Sequence, residues 1–192
     1  MTVNILVFAG SAREGSFNKK LARVMAAALK EKGANVTYAD LRDYPMPLFD
    51  EDLEAKDGEH PNAKAFKNLM KTNDGVVIVS PENNSTYSAL LKNTIDWASR
   101  KKPGETKFEC FAGKIAMIMS ASPGPLGGLR GLLNLRALLA NIEYIVLPNH
   151  LALSSADKAF NEDGSLKDAE KAESVQKLAA VMVAAVAKMK AA

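Results

Sequence analysis

Short apolar runs recur along the chain, separated by segments whose apolar residues keep helical spacing. No other feature limits the choice of fold so tightly. Val3–Ala9 (VNILVFA), Gly75–Ser80 (GVVIVS) and Lys114–Ser120 (KIAMIMS) are near-continuous apolar stretches, the pattern of strands buried on both faces. Asn35–Ala39 and Tyr144–Leu147 are shorter strand-like runs. Leu21, Val24, Met25, Ala28 and Leu29 recur at helical spacing until Gly33 ends the pattern. Leu90, Leu91, Thr94, Ile95 and Ala98 repeat it, a leucine-rich helix covers residues 129–140, and Val175, Leu178, Met182, Ala185 and Met189 line one face of a closing helix. Alternating strands and helices, joined by right-handed crossovers, give a parallel sheet covered on both faces.

The expected fold is therefore α/β, a doubly wound five-stranded parallel sheet with five helices in flavodoxin-like order. A length of 192 residues with 47% hydrophobic and 24% charged residues suits one domain over 1–192 with an ordinary buried core. In such sheets ligands sit outside the carboxyl ends of the strands, where the strand order reverses. Three loops leave those ends: Gly10–Phe17, Pro81–Tyr87 and Ala121–Gly128.

The first loop, GSAREGSFN, is tested against known phosphate cradles. A P-loop needs a lysine after its second glycine; Gly10 and Gly15 have that spacing, but Ser16 follows. The dinucleotide fingerprint needs a second glycine where Ala12 stands, and a side chain there hinders a pyrophosphate. A phospho-accepting regulator needs an acidic pair after the first strand and an aspartate after the third; Gly10-Ser11 and Ser80-Pro81 occupy those places. What remains is a set of donors at a helix start: the side chains of Ser11, Ser16 and Asn18, the guanidinium fork of Arg13, and unpaired backbone N–H groups. That set suits a terminal phosphate. Ordinary capping by Ser16 or Asn18 explains the same residues from this loop alone.

The second loop, SPENNSTYSALLKNTIDWASR, and the third, SASPGPLGGLRGLLNLRALL, add the rest of a pattern. Together the three loops resemble the NADPH-dependent FMN reductase family, which includes quinone, chromate and azo-dye reductases. The family pattern is roughly G-S-x-R-x-x-S-x-N, then P-E-Y-N with L-K-N-x-I-D-W, then S-x-S-P-G with G-G. The likeness runs from Val3 to about Leu147. It implies that Ser11, Arg13, Ser16 and Asn18, with Phe17 beside them, hold the FMN phosphate. It implies that Pro81, Glu82, Asn83 and Asn84 border the flavin ring, and that Ser120, Ser122 and Gly124 close the other side. Asn83 stands where the family usually has tyrosine, which removes an aromatic surface near the ring. NADPH, or NADH, is the implied co-substrate, and a quinone, chromate, azo or flavin molecule the small-molecule acceptor. Because the cofactor carries the redox chemistry, no catalytic acid or base is assigned; His60 and His150 lie outside the three loops.

Other features bound the function. A net charge of +3 is too small and scattered for a nucleic-acid partner. It also speaks against a flavodoxin-type electron carrier, the alternative from another class, since such carriers tend to be acidic. The densest basic run, Arg100-Lys101-Lys102, reads as a solvated helix end. One cysteine, Cys110, closes no internal disulfide; it reads as a small, partly buried residue near a strand start in a reducing, cytoplasmic compartment. The first apolar run is too short for a signal peptide or a membrane span. FDEDLEAKDGEH resembles a calcium loop at Asp50, Asp52 and Glu54. Ala55 and Pro61 replace its required glycine and final glutamate, so it reads as a surface loop near the cofactor's rim, and no metal site is assigned. Glu82 suits a backbone or helix-capping role better than a general base. Leucines on more than one stripe of the helix 129–140 point to a homodimer or homotetramer interface, and Arg136 among them either meets a partner carboxylate or snorkels to water.

Overall fold

The computed structural model describes residues 2–191; Met1 and Ala192, the ends of the expected domain, lie outside them. The strands are β1 (Asn4–Ala9), β2 (Asn35–Asp40), β3 (Gly75–Val79), β4 (Ile115–Ala121) and β5 (Ile145–Leu153). They form one sheet in the order β2-β1-β3-β4-β5, and every pairing is parallel. This is the flavodoxin-like arrangement expected from the alternation of strand and helix.

Successive strand residues point to opposite faces, so the apolar runs feed two cores. Ile5, Val7, Val77, Val79, Met117 and Met119 pack under α1 (Phe17–Glu31) and α6 (Ala169–Ala191). Leu6, Phe8, Val76, Ile78, Ala116 and Ile118 pack under α3 (Pro61–Thr72), α4 (Ala89–Ala98) and α5 (Leu129–Asn141). A strand flanked by helices on both faces needs no polar alternation, which is why three runs read as continuous.

Six α-helices stand among the described residues, where five were expected. The acidic stretch read as a rim loop is α2 (Glu51–Asp57), begun by Asp50, whose carboxylate accepts from the N–H of Asp52 and Leu53. It buries no residue, so no apolar periodicity marks it. Nor does it line the rim: Glu54 pairs with Arg100 and Lys102 beyond the far end of α4. The basic run thus does mark a helix end, but two of its three cations are tied down. Cys110 lies in the turns before β4 and is fully buried; burial pushes its thiol up to about 12.

Two further departures trace to one feature. β5 runs past Leu147 to Leu153, because a bulge around Pro148 and Asn149 lets the strand resume on the same partner. The guanidinium of Arg136 donates to the carbonyls of Val146, Leu147 and Pro148 (2.7–3.3 Å), the groups that the bulge would leave unpaired. Three backbone carbonyls of its own chain thus account for a charge among these leucines without a partner carboxylate.

Beside α3, the Glu105 carboxylate accepts from Lys67, Lys71 and the N–H of Lys102. Burial works to raise its pKa, but the two ammonium groups and the N–H outweigh it and hold the carboxyl down to about 2. A depressed carboxyl contributes stability that is present above the unfolded value of 4.5 and lost as pH falls toward 2. Glu105→Gln should lower stability at neutral pH by on the order of 2 kcal/mol, after discounting for the solvent that reaches the pair. It should also flatten the pH dependence inside that window, as read by urea unfolding at a series of pH values. An unchanged slope would remove Glu105 from the acid response.

Candidate functional site

The carboxyl ends of β1, β3 and β4 open onto a cavity of about 550 Å³ walled by the three loops. That volume falls in the usual range for small-molecule sites. Ser11, Arg13, Ser16, Phe17, Asn18, Pro81, Glu82, Asn83 and Ser122 line it, together with Gly10, Ala12, Ala121 and Pro123. Ser88, Ala89 and Leu90 complete the wall. Asn84, Ser120 and Gly124, which the resemblance brings to the flavin, do not line it.

The first loop ends on a helix start. Ser16 is the N-cap of α1, its hydroxyl accepting from the N–H of Lys19. Capping and anion binding are compatible here, because the hydroxyl hydrogen stays free to donate. The first turn of any helix leaves N–H groups without intrahelical acceptors, here those of Phe17 and Asn18, and the helix dipole favours negative charge beside them. Arg13 is exposed, with its guanidinium 5.2 Å from the centre of the Phe17 ring. Asn18 also has a structural part, besides lining the cavity. Its amide donates to the carbonyl of Ala121 (3.0 Å) and its oxygen accepts from the N–H of Ala121 (2.9 Å), lacing α1 to the end of β4.

A second helix start faces the cavity from α4. Ser88 caps it by accepting from the N–H of Leu91 (3.1 Å), and donates to the carbonyl of Gly10 (2.6 Å), so the end of β1 is fixed to α4. The serine of Y-S-A-L-L, at the N-cap position of α4, is the sequence signal for this wall.

The second loop is a tight turn. Asn83 and Thr86 exchange backbone hydrogen bonds (2.8 and 3.1 Å), with Asn84 and Ser85 at φ of 50° and 67°. Positive φ at both central positions is the mirror-image turn that asparagine tolerates well, and it places Asn84 at the tip, outside the cavity. Glu82 has the capping role that suited it. Its carboxylate accepts from the N–H of Gly131 (3.0 Å), in the first turn of α5, and from Arg130 Nε (2.9 Å). Burial opposes ionisation, but Gly131 and Arg130 hold the carboxyl below the usual range. A group so placed stays charged and does not shuttle protons near neutral pH.

Ser120 is fully buried and donates to the carbonyl of Gly127 (2.6 Å), shaping the third loop from behind. His60 caps α3 through Nδ1, and His150 lies exposed on β5; neither lines the cavity. The site therefore joins a helix start with free N–H groups at α1 to a slot between the second and third loops.

The chain is similar to known flavin-dependent reductases. A sequence model of the family described as NADPH-dependent FMN reductase matches residues 3–158. An NAD(P)H-dependent FMN reductase of Pseudomonas aeruginosa is 34% identical over 175 residues, spanning 91% of this chain and 90% of its own length. A quinone reductase of Escherichia coli is 34% identical over 148 residues, spanning 76% of this chain and 73% of its own. Among solved structures, FerB of Paracoccus denitrificans, a flavoenzyme NAD(P)H:(acceptor) oxidoreductase, superposes with a TM-score of 0.83 at 25% identity, over 98% of this chain and 99% of its own.

Proposed function

This chain belongs to the NADPH-dependent FMN reductase family, and from that premise we propose that it is an FMN-dependent NAD(P)H oxidoreductase acting on quinones, with residues 1–192 as one FMN-binding domain. The observation that carries the reading is the joining, in one cavity, of a helix start with free N–H groups to a slot whose one carboxylate, Glu82, is paired with Arg130. FMN has that same division, a phosphate at one end and a flat ring at the other. The residues fit the group: hydroxyls of Ser11 and Ser16, the Arg13 fork and the first N–H groups of α1 would hold the phosphate. The ring would lie between Pro81–Asn83 and Ala121–Pro123. When bound, FMN supplies a ring that accepts hydride from NAD(P)H and passes the electron pair to an oxidised acceptor.

The chain's own residues do the remaining work. Ser88 and Asn18 fix the ends of β1 and β4 against the helix starts, which sets the width of the slot. Glu82 is neutralised by Arg130, so no uncompensated carboxylate faces the electron-rich reduced ring. Asn83 offers no aromatic surface, which leaves that side of the slot open to an incoming ring. Chromate, azo dyes and free flavin require only the same open face and are further acceptors. On the outer face of α5, Leu133 is 60% exposed, and near its start Leu126 is 49% exposed. We read this patch as a contact between copies in a homodimer or homotetramer, working in the cytoplasm.

Steady-state oxidation of NAD(P)H in the presence of a quinone tests the function. Turnover that requires the quinone supports an enzyme; flavin binding without turnover supports the electron carrier. Arg13→Ala should weaken FMN binding by roughly 1.5–3 kcal/mol, the usual worth of a hydrogen bond to a charged group. Unchanged affinity in a fluorescence titration would take Arg13 out of the site.

A further inference from the structure

The first loop is anchored by a residue that no motif contains. Arg42 follows β2, in a 3₁₀ turn over Leu41–Asp43. Its guanidinium places two donors on one acceptor, the carbonyl of Ala12: Nε at 3.1 Å and Nη2 at 2.9 Å. The bonds within the loop are local, from the N–H of Arg13 to Ser11 Oγ and from the N–H of Ser16 to the carbonyl of Arg13, both 3.3 Å. Arg42 therefore supplies the tie from the middle of the loop to a different element.

Arg42 is itself held. Asp40 accepts from the N–H of Arg42 (3.0 Å) through one carboxylate oxygen and from the buried ammonium of Lys19 (2.7 Å) through the other. Lys19 is in the first turn of α1, and its N–H is the one that Ser16 caps. A circuit thus runs from Ser16 through Lys19, Asp40 and Arg42 to Ala12, closing around the loop.

The circuit has a chemical purpose at an anion site. Each peptide of a loop carries an acceptor as well as a donor, and a carbonyl free to turn toward an anion repels it. Resting on the functional reading above, we propose that Arg42 is a positioning residue for the phosphate loop: by holding the Ala12 carbonyl it fixes the loop in the form that receives the phosphate of FMN. Arg42 acts through Ala12 and not on the ring.

FMN and riboflavin differ by that phosphate, so they separate this role from a general structural one. The full-length protein, freed of flavin, is titrated with each by fluorescence quenching, as wild type and as Arg42→Met. The variant should lose about tenfold or more in affinity for FMN, and less than about twofold for riboflavin. Equal losses for both flavins, or no loss for FMN, would overturn the proposal. Arg42 is exposed, so the fold should survive; if Arg42→Met does not fold, Arg42→Lys is titrated in its place. Lysine offers a point charge instead of a fork, and the same split between flavins is expected, with a smaller loss. A wild-type chain that took up neither flavin would instead overturn the functional reading.

Discussion

Phe66→Ala lowers the free energy of unfolding by about 3–5 kcal/mol, the range for removing a buried aromatic ring and leaving a cavity. Phe66 lies on α3 and is 1% exposed. Its ring meets Phe8 of β1 edge-on, with centroids 5.1 Å apart, and Tyr44 beyond β2 at 5.4 Å. One side chain thus joins the helix, the sheet and the segment that follows Arg42, so neighbouring rings have little freedom to collapse into the gap. Urea unfolding should show a lower midpoint with an unchanged slope. Leu48→Ala, at a residue 79% exposed, should stay within about 0.5 kcal/mol of wild type. A Phe66 variant as stable as the Leu48 variant would mean that α3 is not docked as described.

The second large effect is at Gly127, in the third loop. Its φ is +61°, and a Cβ built there would lie 2.6 Å from the carbonyl carbon of Ala152 in β5. Gly127→Ala therefore meets two penalties: left-handed backbone, about 1–2 kcal/mol, and overpacking against backbone that cannot give way, about 1–3 kcal/mol. The expected loss of stability is about 3 kcal/mol or more. Ser120 holds the carbonyl of this same residue, so displacement of the loop should also weaken FMN binding. Gly124→Ala is the control: its φ is not positive, and a Cβ there meets only Ser122 Oγ at 3.7 Å. If both variants melt together with wild type, the close approach of this loop to β5 is wrong.

The legibility of these features in the sequence follows from their physics. The sheet was readable because strands buried on both faces must be apolar throughout, as GVVIVS and KIAMIMS are. The helix α3 was not, because its buried stripe of Ala63, Phe66, Lys67 and Met70 includes a lysine whose partner, Glu105, lies far along the chain. The helix α2 carries only end signals, an aspartate cap and an acidic first turn, with no buried face. The full length of β5 was hidden by Pro148, which reads as a strand end until Arg136 is seen to satisfy the bulge.

At the site, the loops and the donors of the first loop were legible because glycine, serine and asparagine gather where the chain leaves the sheet. The division of labour among them was not. Ser120, Asn18 and Glu82 bond to Gly127, Ala121 and Gly131, partners that only the fold brings near. Arg42 had no signal at all, since its acceptor is a backbone carbonyl and any residue could stand at position 12.

The central claim is that the rim at the carboxyl ends of β1, β3 and β4 holds one FMN that exchanges electron pairs with NAD(P)H and a quinone. The visible absorption spectrum of the purified protein, followed anaerobically, tests it most directly. The bands of oxidised flavin should be present or restored by added FMN at one per chain, bleach on addition of NAD(P)H, and return on addition of a quinone. A colourless protein whose spectrum remains the plain sum of protein and added FMN would contradict it.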